Sequence, residues 1–417
     1  PVIKPSESCH GGVERASCLQ SHMRGSVPTG EIANIMARCR VMMHREKAGL
    51  MSDQSTRKVG IGVVGAGVIS KIYLKNLNEV FHNTQVIGVA DIILEAAEAR
   101  AKEFGVHAMT VDGLIAHPDV EIVLNLTIPA AHAEIASKAI AAGKSAYNEK
   151  PLAIERAEGL QLLKDAKQKG VLVGAAPDTF LGGGLQTARK ALDDGLIGEP
   201  IGVAGHLLSR GMEAWHPNPY FFFQPGAGPL FDVGVYYVTA MASILGPFSE
   251  VSSLAKASFP ERTVGNGPRL GEKIPVNTPT YIAAAIGFEN GVIGTMTASF
   301  DVYETDGTHL TIYGSEGTLR LPDPNTFGGP VKLLRAGEEE WEELPITFDF
   351  TVDSRGLGIS DFARALRSGG TPRASGEMAY HVLDTMHAFL DSAREGKRIE
   401  IESTFERPPL RAAKFES

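Results

Sequence analysis

Past residue 50 the chain contains no cysteine; the three it has, Cys9, Cys18 and Cys39, all come earlier. That absence excludes a disulfide framework or a cysteine-held metal in the globular part. No stretch is long and apolar enough to span a bilayer. Positive charge is not in excess: 40 Lys and Arg stand against 49 Asp and Glu, for a net charge of −9. Nucleic acid and membrane surfaces are therefore not expected partners. No internal repeat or low-complexity linker divides the chain. At 417 residues two domains are expected, and a hydrophobic content of 43% supplies a sizeable core.

Residues 1–50 differ in character from the rest. They hold every cysteine and an excess of basic residues, and they lack the apolar core of a secretory leader. Met51-Ser52-Asp53-Gln54 reads as a natural start. Residues 1–56 are thus expected to be a disordered or non-native extension, and the protein to be cytoplasmic. Cys9, His10, Cys18 and His22 lack paired ligand spacing, and no metal site is assigned to them.

The chain is organised around residues 59–91. Val59 to Val64 is a short apolar run suited to a buried parallel strand. Gly65-Ala66-Gly67-Val68-Ile69-Ser70 follows, then a helical stretch, then a second apolar run ending in Asp91. Gly65 allows a tight turn, and Gly67 lets backbone approach a pyrophosphate. The helix beginning after Val68 and Ile69 points its N–H groups and positive dipole end at that anion. Ser70, in the place of the fingerprint's last glycine, is small enough to keep helix and strand close. Asp91 is placed to accept hydrogen bonds from a ribose diol. Its carboxylate would repel a 2′-phosphate, and Ile92-Ile93 offers no arginine to hold one, so NAD is favoured over NADP.

Strand-like and helical runs alternate onward to about residue 176, predicting a doubly wound parallel sheet: an α/β NAD-binding domain over residues 57–176. Ligands on such sheets bind at the carboxyl ends of the strands. Asp91, Thr127 and Lys150 all fall at such ends. From residue 177 to 417 strand-like runs dominate, and Glu289-Asn290-Gly291 marks a hairpin. This predicts an α+β domain with a large open, mainly antiparallel sheet. One helix, about Leu230 to Leu245, interrupts it. An open sheet needs a covered face, so a homodimer or homotetramer is expected.

Four segments carry a family resemblance: VGIGVVGAGVIS from Val59, HAEIASKAIAAGKSAYNEKPLA from His132, GPLFDVGVYYVTAMASILGP from Gly228, and the closing stretch from Asp361 to Lys397. Together they resemble the glucose–fructose oxidoreductase, inositol dehydrogenase and MocA (Gfo/Idh/MocA) family over about residues 57–403. The resemblance implies NAD(P)-dependent oxidation or reduction of sugars, cyclitols and related polyols. It places Lys150, with Glu149 before it, beside the nicotinamide and the reacting oxygen, and Asp232 opposite. Thr127, Pro129 and His132 then belong to the loop behind the cofactor, with His132 read as structural. Three departures stand out. Tyr236 occupies the position of the family's usual proton-transfer histidine. The loop from Thr127 has a displaced proline and no asparagine. Pro177-Asp178-Thr179-Phe180 replaces a segment that often carries a basic residue.

Oxidation of a secondary alcohol needs a base for the hydroxyl proton and a charge that favours alkoxide. Lys150 suits the second task. For the first, Tyr236 and His216 are the candidates: the phenol four residues after Asp232, or the imidazole in the aromatic loop Trp215 to Phe223. Two other readings remain beside the dehydrogenase: an NAD-dependent glycosidase or lyase with transient oxidation and no net redox, and a redox-inactive nucleotide-binding regulator.

Overall fold

The computed structural model describes residues 57–415, apart from residues 217, 304 and 306. The readings made for the amino-terminal arm lie outside them.

The first half alternates strand and helix. β1 (Val59–Val64) is buried along its whole length and sits at the centre of the parallel sheet. α1 (Ser70–Glu79), β2 (Thr84–Ala90), α2 (Leu94–Phe104), β3 (His107–Met109), α3 (Val111–Ala116) and β4 (Ile122–Asn125) follow. Then come α4 (His132–Ala141), β5 (Ser145–Asn148), α5 (Arg156–Lys169) and β6 (Val173–Ala175). The six strands are all parallel, in the order β3-β2-β1-β4-β5-β6. That order reverses direction beside β1, the switch point at which doubly wound sheets bind ligands. Local chemistry sets the ends of the helices. A reciprocal Glu155–Glu158 capping box opens α5, and Gly105 and Gly170, both at φ 68°, close α2 and α5.

The second half begins with α6 (Gly183–Asp193) and β7 (Pro200–Leu208). A single π-helical turn, Leu230–Gly234, leads into α7 (Val235–Leu245), where the sequence pattern suggested one uninterrupted α-helix. β8 (Phe248–Lys256) is followed by a small hairpin, β9 (Glu261–Thr263) and β10 (Lys273–Pro275). Next are β11 (Tyr281–Phe288), β12 (Ile293–Ser299), β13 (Leu310–Gly314), β14 (Gly317–Leu321), β15 (Val331–Arg335) and β16 (Glu342–Leu344). α8 (Leu357–Ser368), α9 (Gly376–Glu395) and β17 (Ile399–Glu400) end the described chain. Nine strands form one sheet in the order β16-β15-β14-β13-β7-β12-β11-β8-β17. Every pair is antiparallel except β7 with β12. The mainly antiparallel α+β expectation holds, with that one parallel pair as its exception. No helix among the described residues is long and apolar enough to cross a membrane.

Two connections bring the sheets together. α9 packs against β8 and α7 on one side and against α5 and β6 on the other. Arg156 of α5 donates to Asp384 of α9 at 2.6 Å and also pairs with Asp391. The second connection is Asp178, just beyond β6. Its buried carboxylate accepts the N–H groups of Gly356 and Gly358, both at 2.9 Å, and so fixes the start of α8.

Burial pushes the Asp178 carboxyl up to about 6, against the opposing pull of the Gly356 and Gly358 N–H groups and the Arg355 charge. At low pH the folded and unfolded chains both hold this proton. Between the ordinary value of 3.8 and about 6 the unfolded chain releases it first, so stability falls as pH rises through that window and stays lower above it. Asp178→Asn keeps an acceptor for the two N–H groups and never ionises. Relative to the natural protein it should gain about 2–3 kcal/mol between about pH 4 and about pH 7, measured by urea unfolding at both. An equal stability difference at the two pH values would contradict this.

Candidate active site

The chain leaves β1 through Gly65, whose φ of 107° favours glycine. A side chain there would also meet the Leu126 carbonyl carbon at 2.6 Å. At Gly67 the same construction meets nothing within 4 Å, so the backbone is open on that side. Ser70, fully buried at the start of α1, donates its hydroxyl to the Gly67 carbonyl at 2.7 Å. Asp91 accepts the Ala66 N–H at 2.8 Å with one oxygen and the Ile93 N–H at 2.9 Å with the other. Its carboxylate therefore ties the glycine turn to the entry of α2. Val68, Ile92 and Ile128 are 90%, 93% and 70% exposed around this turn. Open backbone, a helix N-terminus, an acid and apolar walls fit the pyrophosphate, ribose and base of a dinucleotide.

Arg100 escaped the sequence reading, which went no further than Ile92-Ile93. It reaches back from α2 and donates to the carbonyls of Ala66 and Gly67, each at 3.1 Å, while pairing with Glu103 at 2.5 Å. An arginine thus stands beside the turn after all, turned toward backbone carbonyls.

Buried side-chain amides hold the next two strand ends. Asn125 donates to Asn148 Oδ1 at 3.0 Å and accepts the Thr127 hydroxyl at 2.7 Å. Asn148 donates to the Leu152 carbonyl at 2.8 Å. His132 lies with Nδ1 2.6 Å from the Pro151 carbonyl and Nε2 3.2 Å from that of Thr127. Burial lowers its pKa, which favours a neutral ring with one N–H, and the closer Pro151 carbonyl is the better acceptor. His132 thus fastens the loop after β4, with Pro129 in it, to the turn after β5. Glu149 accepts the Tyr73 hydroxyl at 2.7 Å and the Lys150 N–H at 2.9 Å. Burial raises the Tyr73 pKa, which keeps that phenol a donor. α1 is thereby tied to the turn that carries Lys150.

Lys150 meets the second half of the chain directly. Its ammonium donates to the backbone carbonyl of Asp232 at 2.6 Å and to the Asp232 carboxylate at 2.9 Å. The same nitrogen lies 5.5 Å from the centre of the Tyr236 ring. A π turn is wider than an α turn, and such turns recur at functional sites. Here it places both the carbonyl and the carboxylate of Asp232 on the lysine. Burial alone would push the Lys150 pKa down; Asp232, Tyr236 and Glu149 more than reverse this, so the group stays an ammonium. Burial raises the Tyr236 phenol, with Glu149 adding to the rise, while Lys150 and Arg355 oppose it. Arg355 donates to Asp353 at 2.6 Å and to Asn325 at 3.1 Å. Nothing in the local sequence signals Arg355, which lies in a stretch without regular structure.

The other candidate base, His216, lies elsewhere. The His216 ring packs edge-on against Phe221 at 5.8 Å, Phe222 at 5.1 Å and Trp215 at 5.5 Å. Its Nδ1 accepts the Asn218 N–H at 3.1 Å, and among the described residues no contact joins it to Lys150, Asp232 or Tyr236. Tyr237 points away from the lysine and pairs with His309 Nδ1 at 2.7 Å. His381 is buried and receives the Phe248 N–H at 2.9 Å, a packing role.

Comparison with known proteins agrees with this geometry. Residues 59–176 match the model described as the oxidoreductase family with an NAD-binding Rossmann fold, and residues 185–320 match the GFO/IDH/MocA C-terminal domain. An inositol 2-dehydrogenase from Gluconacetobacter diazotrophicus is 31% identical over 82% of this chain and 96% of its own length. An inositol 2-dehydrogenase from Pseudomonas syringae is 36% identical over 74% of this chain and 86% of its own. Among solved structures, a levoglucosan dehydrogenase in complex with NADH has the same fold. Its TM-score is 0.72 at 22% identity, over 83% of this chain and all of the other. With a glycine turn at the switch point of a parallel sheet, and a lysine from that sheet clasped by an aspartate at the foot of a helix on a second, open sheet, the chain belongs to the Gfo/Idh/MocA family of oxidoreductases.

Proposed function

We propose that the protein is an NAD-dependent dehydrogenase acting on a ring secondary alcohol of a cyclitol, sugar or glycoside, with Lys150, Asp232 and Tyr236 at the reacting carbon. The observation that carries this reading is the Lys150 ammonium, clasped by Asp232 and facing the Tyr236 ring. Two relatives named inositol 2-dehydrogenase, at 31% and 36% identity, make a cyclitol the first substrate class to test.

Each side chain has a definite task. Bound NAD supplies the acceptor for the hydride. Lys150 stays charged and stabilises the alkoxide that forms as the hydroxyl proton leaves. Asp232 holds the ammonium in place through two oxygens, its carbonyl and its carboxylate. Tyr236, in its phenolate form, takes the hydroxyl proton and becomes the neutral phenol. Gly65, Gly67, Val68 and Ile69 form the pyrophosphate turn, and Asp91 faces the ribose. The Asp91 charge favours NAD over NADP, because Arg100 is already engaged with Glu103 and the turn carbonyls.

We also propose a homo-oligomer built on the open face of the nine-stranded sheet. Leu254 and Ile293, 78% and 68% exposed, lie on that face with Ala283, Ala285 and Thr295 between them. Exposed apolar side chains on a sheet face are better covered than solvated.

The decisive experiment mixes the purified protein with NAD and a panel of inositols, aldoses, sugar acids and glycosides and follows NADH absorbance. NADH should appear with one compound class. Lys150→Ala should lower kcat/KM by about 10²–10³-fold while NAD still binds, as read by calorimetry. Glycoside cleavage without NADH release would instead support the redox-neutral reading, and an undiminished rate in Lys150→Ala would remove the lysine from the mechanism. For cofactor choice, Asp91→Asn loses the charge while keeping the side-chain shape and one of the two N–H acceptors. It should shift the NAD:NADP preference toward NADP by about tenfold or more, measured as a ratio of kcat/KM values. An unchanged ratio would show that Asp91 does not set the preference.

A further inference from the structure

A glycine turn can offer its N–H groups to an anion only if its carbonyls are held elsewhere. A trans peptide directs the carbonyl of one residue and the N–H of the next in opposite directions. Arg100 donates to the carbonyls of Ala66 and Gly67, each at 3.1 Å. The N–H groups of Gly67 and Val68 therefore point away from the guanidinium. These two, and the N–H of Ile69, have no acceptor among the described residues. We infer that Arg100 is the positioning residue of the cofactor turn, fixing two successive peptide planes so that their N–H groups face the diphosphate of NAD. This inference rests on the reading of Gly65 to Ile69 as the pyrophosphate turn.

The two peptides are not held equally. Asp91, at the end of β2, accepts the Ala66 N–H at 2.8 Å, and Arg100, on α2, takes the Ala66 carbonyl. Among the described residues that carbonyl has no other partner. The Gly67 carbonyl is held also by the Ser70 hydroxyl at 2.7 Å and the Ser70 N–H at 3.3 Å. Loss of the guanidinium would thus free the peptide between Ala66 and Gly67, while the next one keeps Ser70. Gly67, without a side chain, resists that rotation little. Arg100 is itself fixed by Glu103, one turn further along α2 at 2.5 Å, and Glu103 lies 3.5 Å from Lys71 of α1.

Charge argues in the same direction. Asp91 suits the ribose but repels a diphosphate beside it. Arg100 is the cation bonded to the turn itself, and it offsets that repulsion. A carbonyl that accepts from a guanidinium also polarises its peptide, which makes the N–H on the far side a stronger donor. Two successive N–H groups arranged in this way at a helix N-terminus form a nest suited to phosphate. The arginine acts on the cofactor through the backbone.

The test uses the full chain, Arg100→Met and Arg100→Lys. NAD binding is followed by calorimetry, and ADP and adenosine are measured as competitors of NAD. Arg100→Met should raise the Kd for NAD and the competition constant for ADP about tenfold or more. The constant for adenosine, which has no phosphate, should stay within about twofold. Arg100→Lys, which keeps the charge but not the forked donors, should recover part of the loss. With the substrate found in the panel, the damage should fall on KM for NAD more than on kcat. Should Arg100→Met fail to fold, Arg100→Gln, which keeps a donor without the charge, must show the same phosphate-dependent loss. Equal NAD affinity in the natural protein and Arg100→Met overturns the role of Arg100 alone. An equal loss for adenosine also overturns it, because that marks a turn disordered as a whole. A natural protein that binds no NAD overturns the cofactor reading, and this inference with it.

Discussion

The clasp between Lys150 and Asp232 is the constraint on which the rest depends. The lysine ends a strand of the parallel sheet; the aspartate begins the helix that packs on the open sheet. Their side chains are 18% and 17% exposed, so neither charge is well solvated without the other. Pairs this far from water add little net stability, but each member is costly to leave alone. Their value lies in register: they set the end of β5 and the foot of α7 at one distance and orientation. A site assembled from two sheets needs such a fastening.

Everything around the clasp reduces the freedom of its two ends. Tyr73 grips Glu149, and His132 holds Pro151. Asn125 and Asn148 join the ends of adjacent strands. On the far side, α9 lies against α7 while holding α5 through Arg156. The lysine is therefore fixed by hydrogen bonds within its own sheet and the aspartate by helix packing, and the two sets of contacts meet in a helix common to both layers. Positioning to a fraction of an ångström is what separates a charged residue near a substrate from one that lowers a barrier.

Much of this was legible in the sequence, for physical reasons. A buried parallel strand must be apolar on both faces, so β1 and β4 announce themselves as unbroken runs. A strand with one face open must alternate, and β11 reads buried, exposed, buried along most of its length. The hairpin at Asn290-Gly291 and the helix ending at Gly396 follow from turn and cap chemistry. What escaped has equally physical causes. β9, β10 and β16 span three residues each, too few to show a period. The π turn differs from an α turn by one residue in its hydrogen bonding, which composition does not register. Arg100 lies on the helix after the strand end and reaches the turn only through the fold, across 33 and 34 residues of sequence. Asn76, Asp178 and Arg355 meet across 178 to 279 residues, and a pairing at that range leaves no trace in local pattern. His216 drew notice by its ordinary titration range, but its surroundings are aromatic rings.

The Lys150 ammonium, 5.5 Å from the centre of the Tyr236 ring, bears on what a side chain at position 236 can do. A histidine that takes up a proton becomes a cation. Beside an ammonium its charged form is repelled. A phenol runs the other way: its proton-accepting form is an anion, and each neighbouring cation favours it. Burial and Glu149 push toward the neutral phenol; Lys150 and Arg355 pull toward the phenolate. A tyrosine and a histidine at one point of a fold therefore ask opposite things of the charges around them.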